Sequence, residues 1–148
     1  MTSMQRPNRR TVLKSSLAGA GALALGARRA AAQPSEVKIA LIVPLSGPWA
    51  RSGQLKKMGG DLAVKHINEQ GGIKALGGAK MQLVVIDAGD SAEKAKNAAQ
   101  RLVSSETDIV GGTGAWLSSF TLAVTEVTER AEVPWLTLSY SDVITSRG

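Results

Sequence analysis

The sequence predicts an α/β fold, a parallel doubly wound sheet with helices on both faces, and three observations predict it. Residues 37–45 (VKIALIVPL) form a continuous apolar run with β-branched members, the pattern of a strand buried on both faces. Three further short apolar runs follow, each separated from the last by a segment with helical spacing or helix-start chemistry. Strands joined through helices of about ten or more residues lie parallel, with right-handed crossovers.

Each element has its own warrant. After the first strand comes the turn Ser46-Gly47-Pro48, and then Leu55, Met58, Leu62, Ala63 and Ile67 recur at helical spacing. Lys56, Lys57, Asp61, Lys65 and Glu69 fall on the other side, so the reading is an amphipathic helix with its apolar stripe against the sheet. Gly59 and Gly60 weaken that helix, which makes sense if one of them lets it lie close on the sheet. Gly71-Gly72-Ile73 ends it, with glycine in a left-handed cap.

Residues 81–87 (MQLVVID) read as the second strand, and Asp90-Ser91-Ala92-Glu93 has the spacing of a capping box opening a helix that runs to about Val103. Residues 107–112 (TDIVGG) read as a short third strand, 118–131 as a third helix and 133–138 (VPWLTL) as a fourth strand, with Trp135 in the core. In such sheets ligands sit beyond the carboxyl ends of the strands. Function is therefore expected in three loops, residues 44–54, 111–119 and 139–142.

Charge separates the leader from the rest. Of 18 basic residues, six (Arg6, Arg9, Arg10, Lys14, Arg28, Arg29) precede Glu36 with no acid among them, leaving twelve against twelve acidic residues afterwards. A neutral domain with 3% aromatics lacks the field and the stacking platforms of nucleic-acid binding, so nucleic acid is excluded as a partner. Asn8-Arg9-Arg10-Thr11-Val12-Leu13-Lys14 resembles the twin-arginine export signal. Thirteen uncharged residues follow (15–27), then Arg28-Arg29 and Ala30-Ala31-Ala32, a small-x-small cleavage signal. That stretch is too short for a span of about 20 apolar residues. Residues 1–32 are read as a signal peptide and 33–148 as the exported domain, destined for the periplasm.

Enzyme chemistry finds little support. The chain has no cysteine and one histidine, His66, placed among charged residues on a helix. It has no GxSxG elbow and no paired-histidine motif, and nothing points to a metal or a cofactor. Asp87 ends the second strand as a dinucleotide-binding acid does, but the preceding PLSGPWARSG loop lacks the glycine spacing that admits a pyrophosphate, so Asp87 is read as a loop or cap residue.

The run LIVPLSGPWARSG, followed by GGDLAVKHINEQGGIKALGGAKMQLVVID, DSAEKAKNAAQRLV, TLAVTEVTERAEVP and SDVITSRG, resembles leucine/isoleucine/valine-type periplasmic binding proteins of ABC importers over residues 37–148. The resemblance implies the N-terminal lobe of a type I periplasmic binding fold, with the second lobe absent. It also implies an amino acid or small amide held between two lobes and delivered to an ABC permease. A carboxylate in a closing cleft needs hydroxyls and free N–H groups at a helix N-terminus. Ser118 and Ser119 stand there, and the resemblance adds Ser139 and Tyr140. The alternative for the serine pair is helix capping alone. Trp49 and Trp116 lie in the same set of loops and either wall an apolar pocket or pack. This chain departs from the resemblance in a longer GGTGAWLSSF loop and in the bulk of Leu138-Ser139-Tyr140. Two further readings are a sensing domain of a signalling receptor with the same fold and a Rossmann-type enzyme.

Replacing Arg9 and Arg10 together by lysine is expected to hold the protein in the cytoplasm at its uncleaved length, as fractionation and immunoblotting would register.

Overall fold

The computed structural model describes residues 35–146; Arg9, Arg10 and the alanine run before Gln33 lie outside the described residues. Strands β1 (Glu36–Val43), β2 (Lys80–Asp87), β3 (Ile109–Gly114) and β4 (Trp135–Leu136) form one sheet in the order β2-β1-β3-β4. Every neighbouring pair is parallel. Helix α1 (Ala50–Glu69) joins β1 to β2, α2 (Ala92–Ser105) joins β2 to β3, α3 (Ser118–Arg130) joins β3 to β4, and the short α4 (Val143–Ser146) follows.

Alternation along the strands sorts the two faces. Ala40 and Ile42 of β1, with Val84 and Ile86 of β2, pack into one core with Ala95, Ala98, Ala99 and Leu102 of α2 and with Phe120, Val124 and Val127 of α3. The alanine row lets α2 lie close, and Lys96 on α2 pairs with Glu126 on α3 at 2.8 Å. On the other face Leu41 and Leu83 meet α1 at Gly60, where an added Cβ would stand 3.0 Å from Leu83 and 3.3 Å from Leu41. The chain thus leaves β1 over one face and β2 over the other, which makes the carboxyl ends of β1 and β3 the switch point of the sheet.

Four expectations change. The expected α1 stripe holds only at Ile67: Leu55, Met58 and Leu62 are 59%, 64% and 53% exposed, and Ala63 is exposed as well. Gly53, Gly60 and Val64 turn inward with Ile67, because a helix seated on leucine side chains needs small residues beneath it, and glycine does not register as apolar. Of the two mid-helix glycines only Gly60 gives close approach; nothing lies within 4 Å of a Cβ at Gly59.

Strand β3 runs two residues past its expected end. Gly112 and Gly114 do not stop it; they admit the Trp135 ring and the Ile42 carbonyl, against which a Cβ would stand at 2.1 Å in each case. β4 shrinks to two residues, since Pro134 has no N–H to give and the Ser139 N–H goes to the Thr137 hydroxyl rather than to a ladder. The α2 cap is Ser91, one residue later than the spacing suggested: its hydroxyl accepts the Lys94 N–H, while Asp90 pairs with the Lys94 ammonium at 2.7 Å. Trp135 does pack against the α2/α3 core, as expected.

Gly53→Ala is expected to destabilise the whole protein by about 1–3 kcal/mol, the usual range for overpacking, because its Cβ would lie 1.6 Å from the Pro44 carbonyl oxygen. Gly59→Ala, in open space, should instead stabilise by about 0.5–1 kcal/mol. Denaturant midpoints at constant slope separate the two outcomes.

Candidate ligand-binding site

At the carboxyl edge of the sheet the end of β1 holds the loops that follow β2 and β3. The Ile42 carbonyl accepts the Ala115 N–H at 2.7 Å, and the Val43 carbonyl accepts the Ala88 N–H at 3.0 Å. The Leu45 N–H donates to Asp87 Oδ1 at 2.7 Å, and the Gly89 N–H donates to the same oxygen at 2.8 Å. Asp87 therefore clamps the β1 loop to the β2 loop, a fixed structural role within the loop reading. Burial pushes its carboxyl up, but hydrogen bonds from Leu45, Gly89 and Ser46 outweigh that and hold it below the ordinary value of 3.8.

The loop after β3 turns through Gly114 at φ 112° and Ala115 at φ 46° into α3. The N-cap position belongs to Leu117, which has no side chain able to cap, and no side-chain hydrogen bond closes this end. Ser118 and Ser119 are the first two residues of the helix, so the capping alternative does not describe them. Ser118 Oγ instead accepts the Tyr140 N–H at 3.3 Å, tying the β4 loop to the helix start, and Ser119 is exposed beside it. The first-turn amides and two hydroxyls thus share one end of a 13-residue helix, where the backbone carries partial positive charge.

Of the backbone and hydroxyl that Ser139 offers, the hydroxyl is already taken. Its hydroxyl is engaged inward, 2.6 Å from Thr121 Oγ1 and 2.9 Å from Thr137 Oγ1, with the Trp116 carbonyl at 3.1 Å. Thr121, fully buried, also donates to the Ala115 carbonyl. This hydroxyl cluster fixes the β3 and β4 loops against each other. Sequence reasoning missed Thr121 and Thr137, since threonine in a helix or strand carries no signal of a distant partner. Tyr140 is 92% exposed, its ring projecting from the loop.

The tryptophans come together. Trp49 and Trp116 meet edge to face with ring centroids 5.5 Å apart, and the Lys56 ammonium stands 5.5 Å over the Trp116 ring. Trp116 lines a cleft with Leu41, Lys56, Thr113 and Leu138, adjoining but not containing Ser118 and Ser119. Its indole Nε1 is buried with no acceptor among the described residues. His66 is exposed on α1, and no group of three or more His, Asp or Glu suited to a metal occurs among the described residues. No helix among them is long and apolar enough to cross a membrane.

A family model for periplasmic binding proteins matches residues 36–147. The chain belongs to that family. Its curated relatives include Leu/Ile/Val-binding protein homolog 7 of Brucella abortus (strain 2308), 37% identical over 130 residues, which cover 86% of this chain and 31% of the relative. Among solved structures, the branched-chain amino acid transporter substrate binding protein LivJ from Streptococcus pneumoniae, in complex with isoleucine, superposes with a TM-score of 0.68 at 27% identity, over 76% of this chain and 31% of that one. A solute binding protein of an ABC transporter from R. palustris, in complex with 4-hydroxybenzoate, superposes with a TM-score of 0.62 at 26% identity, over 76% and 30%. The chain spans about a third of the length of these family members. Family and fold agree with the resemblance read from the sequence.

Because the Asp87 carboxyl titrates below its ordinary value in the folded protein, its contribution is present above pH 3.8 and is lost as pH falls through the lowered value. Asp87→Asn, which keeps an acceptor oxygen, is expected to flatten that acid limb, whereas Asp87→Ala should also lower stability at pH 7 by about 1–3 kcal/mol for the donors left unmatched. Urea melts from pH 2 to 7 check both.

Proposed function

We propose that the whole protein is an extracytoplasmic receptor of an ABC importer, binding a small carboxylate solute and delivering it to a permease. The observation that carries this reading is the start of α3: a helix end with no side-chain cap, two hydroxyls and the β4 loop, all at the switch point of a parallel sheet. Free amides and hydroxyls at a helix N-terminus recognise a carboxylate without a buried cation. Ser118 and Ser119 take that group, and the backbone at Ser139 and Tyr140 borders it.

Amino acids of the leucine type are the first ligand class, since they are what the names of the similar proteins describe. The edge-to-face pair Trp49 and Trp116 supports a second class, aromatic acids, whose rings match an aromatic wall. Export by the twin-arginine route and a periplasmic location belong to the same reading. The sequence offers no catalytic set, which supports binding rather than catalysis.

A thermal-shift screen of leucine, isoleucine, short amides and 4-hydroxybenzoate against the whole exported protein identifies the ligand class, because a ligand of the native state raises its stability. With the ligand so found, Ser118→Ala/Ser119→Ala is expected to lose about 1–3 kcal/mol of affinity per charged group left unpaired, with a smaller loss of stability. Titration calorimetry beside a denaturant melt measures both, and unchanged affinity would remove the site.

A further inference from the structure

Beneath the proposed solute site three hydroxyls bond to one another and to two backbone carbonyls. Thr121, fully buried in the first turn of α3, donates to the Ala115 carbonyl. Ser139 Oγ lies 2.6 Å from Thr121 Oγ1 and 2.9 Å from Thr137 Oγ1, and it reaches the Trp116 carbonyl at 3.1 Å. Thr137 Oγ1 in turn accepts the Ser139 N–H at 3.2 Å. A hydroxyl has one proton to give. With Thr121 donating to Ala115, Ser139 to Trp116 and Thr137 to Ser139, no proton of the cluster is left for a solute carboxylate.

The turn this cluster holds is strained. Ala115 is buried at φ 46°, a left-handed conformation that is costly for a residue with a Cβ and persists only where its surroundings fix it. Two bonds fix it: its N–H goes to the Ile42 carbonyl at 2.7 Å, and its own carbonyl takes the Thr121 hydroxyl. Ser139 Oγ stands farther from the same carbonyl, at 3.3 Å. Three residues after Ala115 comes Ser118, whose Oγ accepts the Tyr140 N–H. Thr121 therefore joins the turn before α3 to the loop after β4, the two pieces of backbone that border the proposed carboxylate position.

We infer that Thr121 is a positioning residue for solute binding: its hydroxyl touches no solute, and it holds Ala115 and Ser139 so that the first-turn amides of α3, Ser118 and the Tyr140 backbone face one carboxylate. The inference rests on the receptor reading and on the Ser118 and Ser119 site. The hydroxyl and the groups it bonds all lie within this lobe.

Two substitutions at one position test it. Thr121→Val keeps the shape and removes the hydroxyl, whereas Thr121→Ser keeps the hydroxyl and removes the methyl. Both should lower the melting temperature, since one leaves a buried carbonyl without its donor and the other thins the core. Affinity should follow the hydroxyl alone. The whole exported protein is titrated calorimetrically with leucine and, separately, with 4-hydroxybenzoate; Thr121→Val should bind roughly tenfold more weakly and Thr121→Ser like the wild type. Ser139→Ala should weaken binding as well, and the Thr121→Val/Ser139→Ala double variant should bind no worse than the weaker single variant, as groups acting together do. In the solute-free protein, Thr121→Val and Ser139→Ala should speed amide hydrogen exchange at Ala115 and Tyr140 beyond what their global stability accounts for, and Thr121→Ser should not. Ser139→Ala, at a half-buried position, carries both measurements should Thr121→Val fail to fold. A wild type that binds neither solute overturns the proposed site and this inference with it. A wild type that binds, with affinity untouched by Thr121→Val or falling equally in Thr121→Ser, overturns this inference alone. So do additive losses in the double variant, which would give the Ser139 hydroxyl a solute contact of its own, and exchange at Ala115 and Tyr140 that Thr121→Val leaves unchanged.

Discussion

At the end of β1 three successive carbonyl groups face three different segments, and the site depends on all of them. Ile42 takes the amide that begins the α3 loop, Val43 takes the amide that follows β2, and Pro44 lies under the Cα of Gly53 in the first turn of α1. Each contact is tolerated only because the approaching residue is small or turned through positive φ. Gly53 and Gly114 have no room for a Cβ against these carbonyls, and Ala115 adopts φ 46° to place its N–H. Residues 42–44 are buried, so an unmatched carbonyl there would carry a desolvation cost, and the loops are held in place by meeting it.

Asp87 and the threonine-serine cluster extend this anchoring outward. One carboxylate oxygen receives two amides from two loops, and burial strengthens those bonds even as it opposes the charge. On the other side, Thr121, Thr137 and Ser139 exchange hydrogen bonds and also satisfy the Ala115 and Trp116 carbonyls. Hydroxyls serve here because each can donate and accept, so a short cluster can satisfy carbonyls from a turn with no ladder of its own. In the proposed site the start of α3 and the backbone of Ser139 and Tyr140 are thereby set relative to each other without a solute. Preorganisation of this kind lowers the ordering cost of binding.

The same economy of small residues separates the inner and outer sides of α1. Glycine beneath the helix lets it sit on Leu41 and Leu83, and that close seat turns the leucine and methionine of the helix outward.

The alternation of strands and helices, the parallel class, the Ser91 region as a helix start and the family were legible in the sequence, because each rests on local pattern: apolar runs, cap spacing and the order of short segments. The convergence of residues 44–54, 111–119 and 139–142 at one edge was legible too, since a parallel sheet sends alternate connections to the same end. Tertiary structure alone decided which face of α1 is buried, how far β3 and β4 run, and that the Ser139 hydroxyl turns inward while Asp87 bridges two loops. The physical reason is common to all of these. Hydropathy counts side chains, whereas glycine packing, carbonyl matching and hydroxyl exchange depend on which groups come into contact, and in the bonds made by Thr121, Asp87, Val43 and Ile42 that partner is 18 to 73 residues away in the chain.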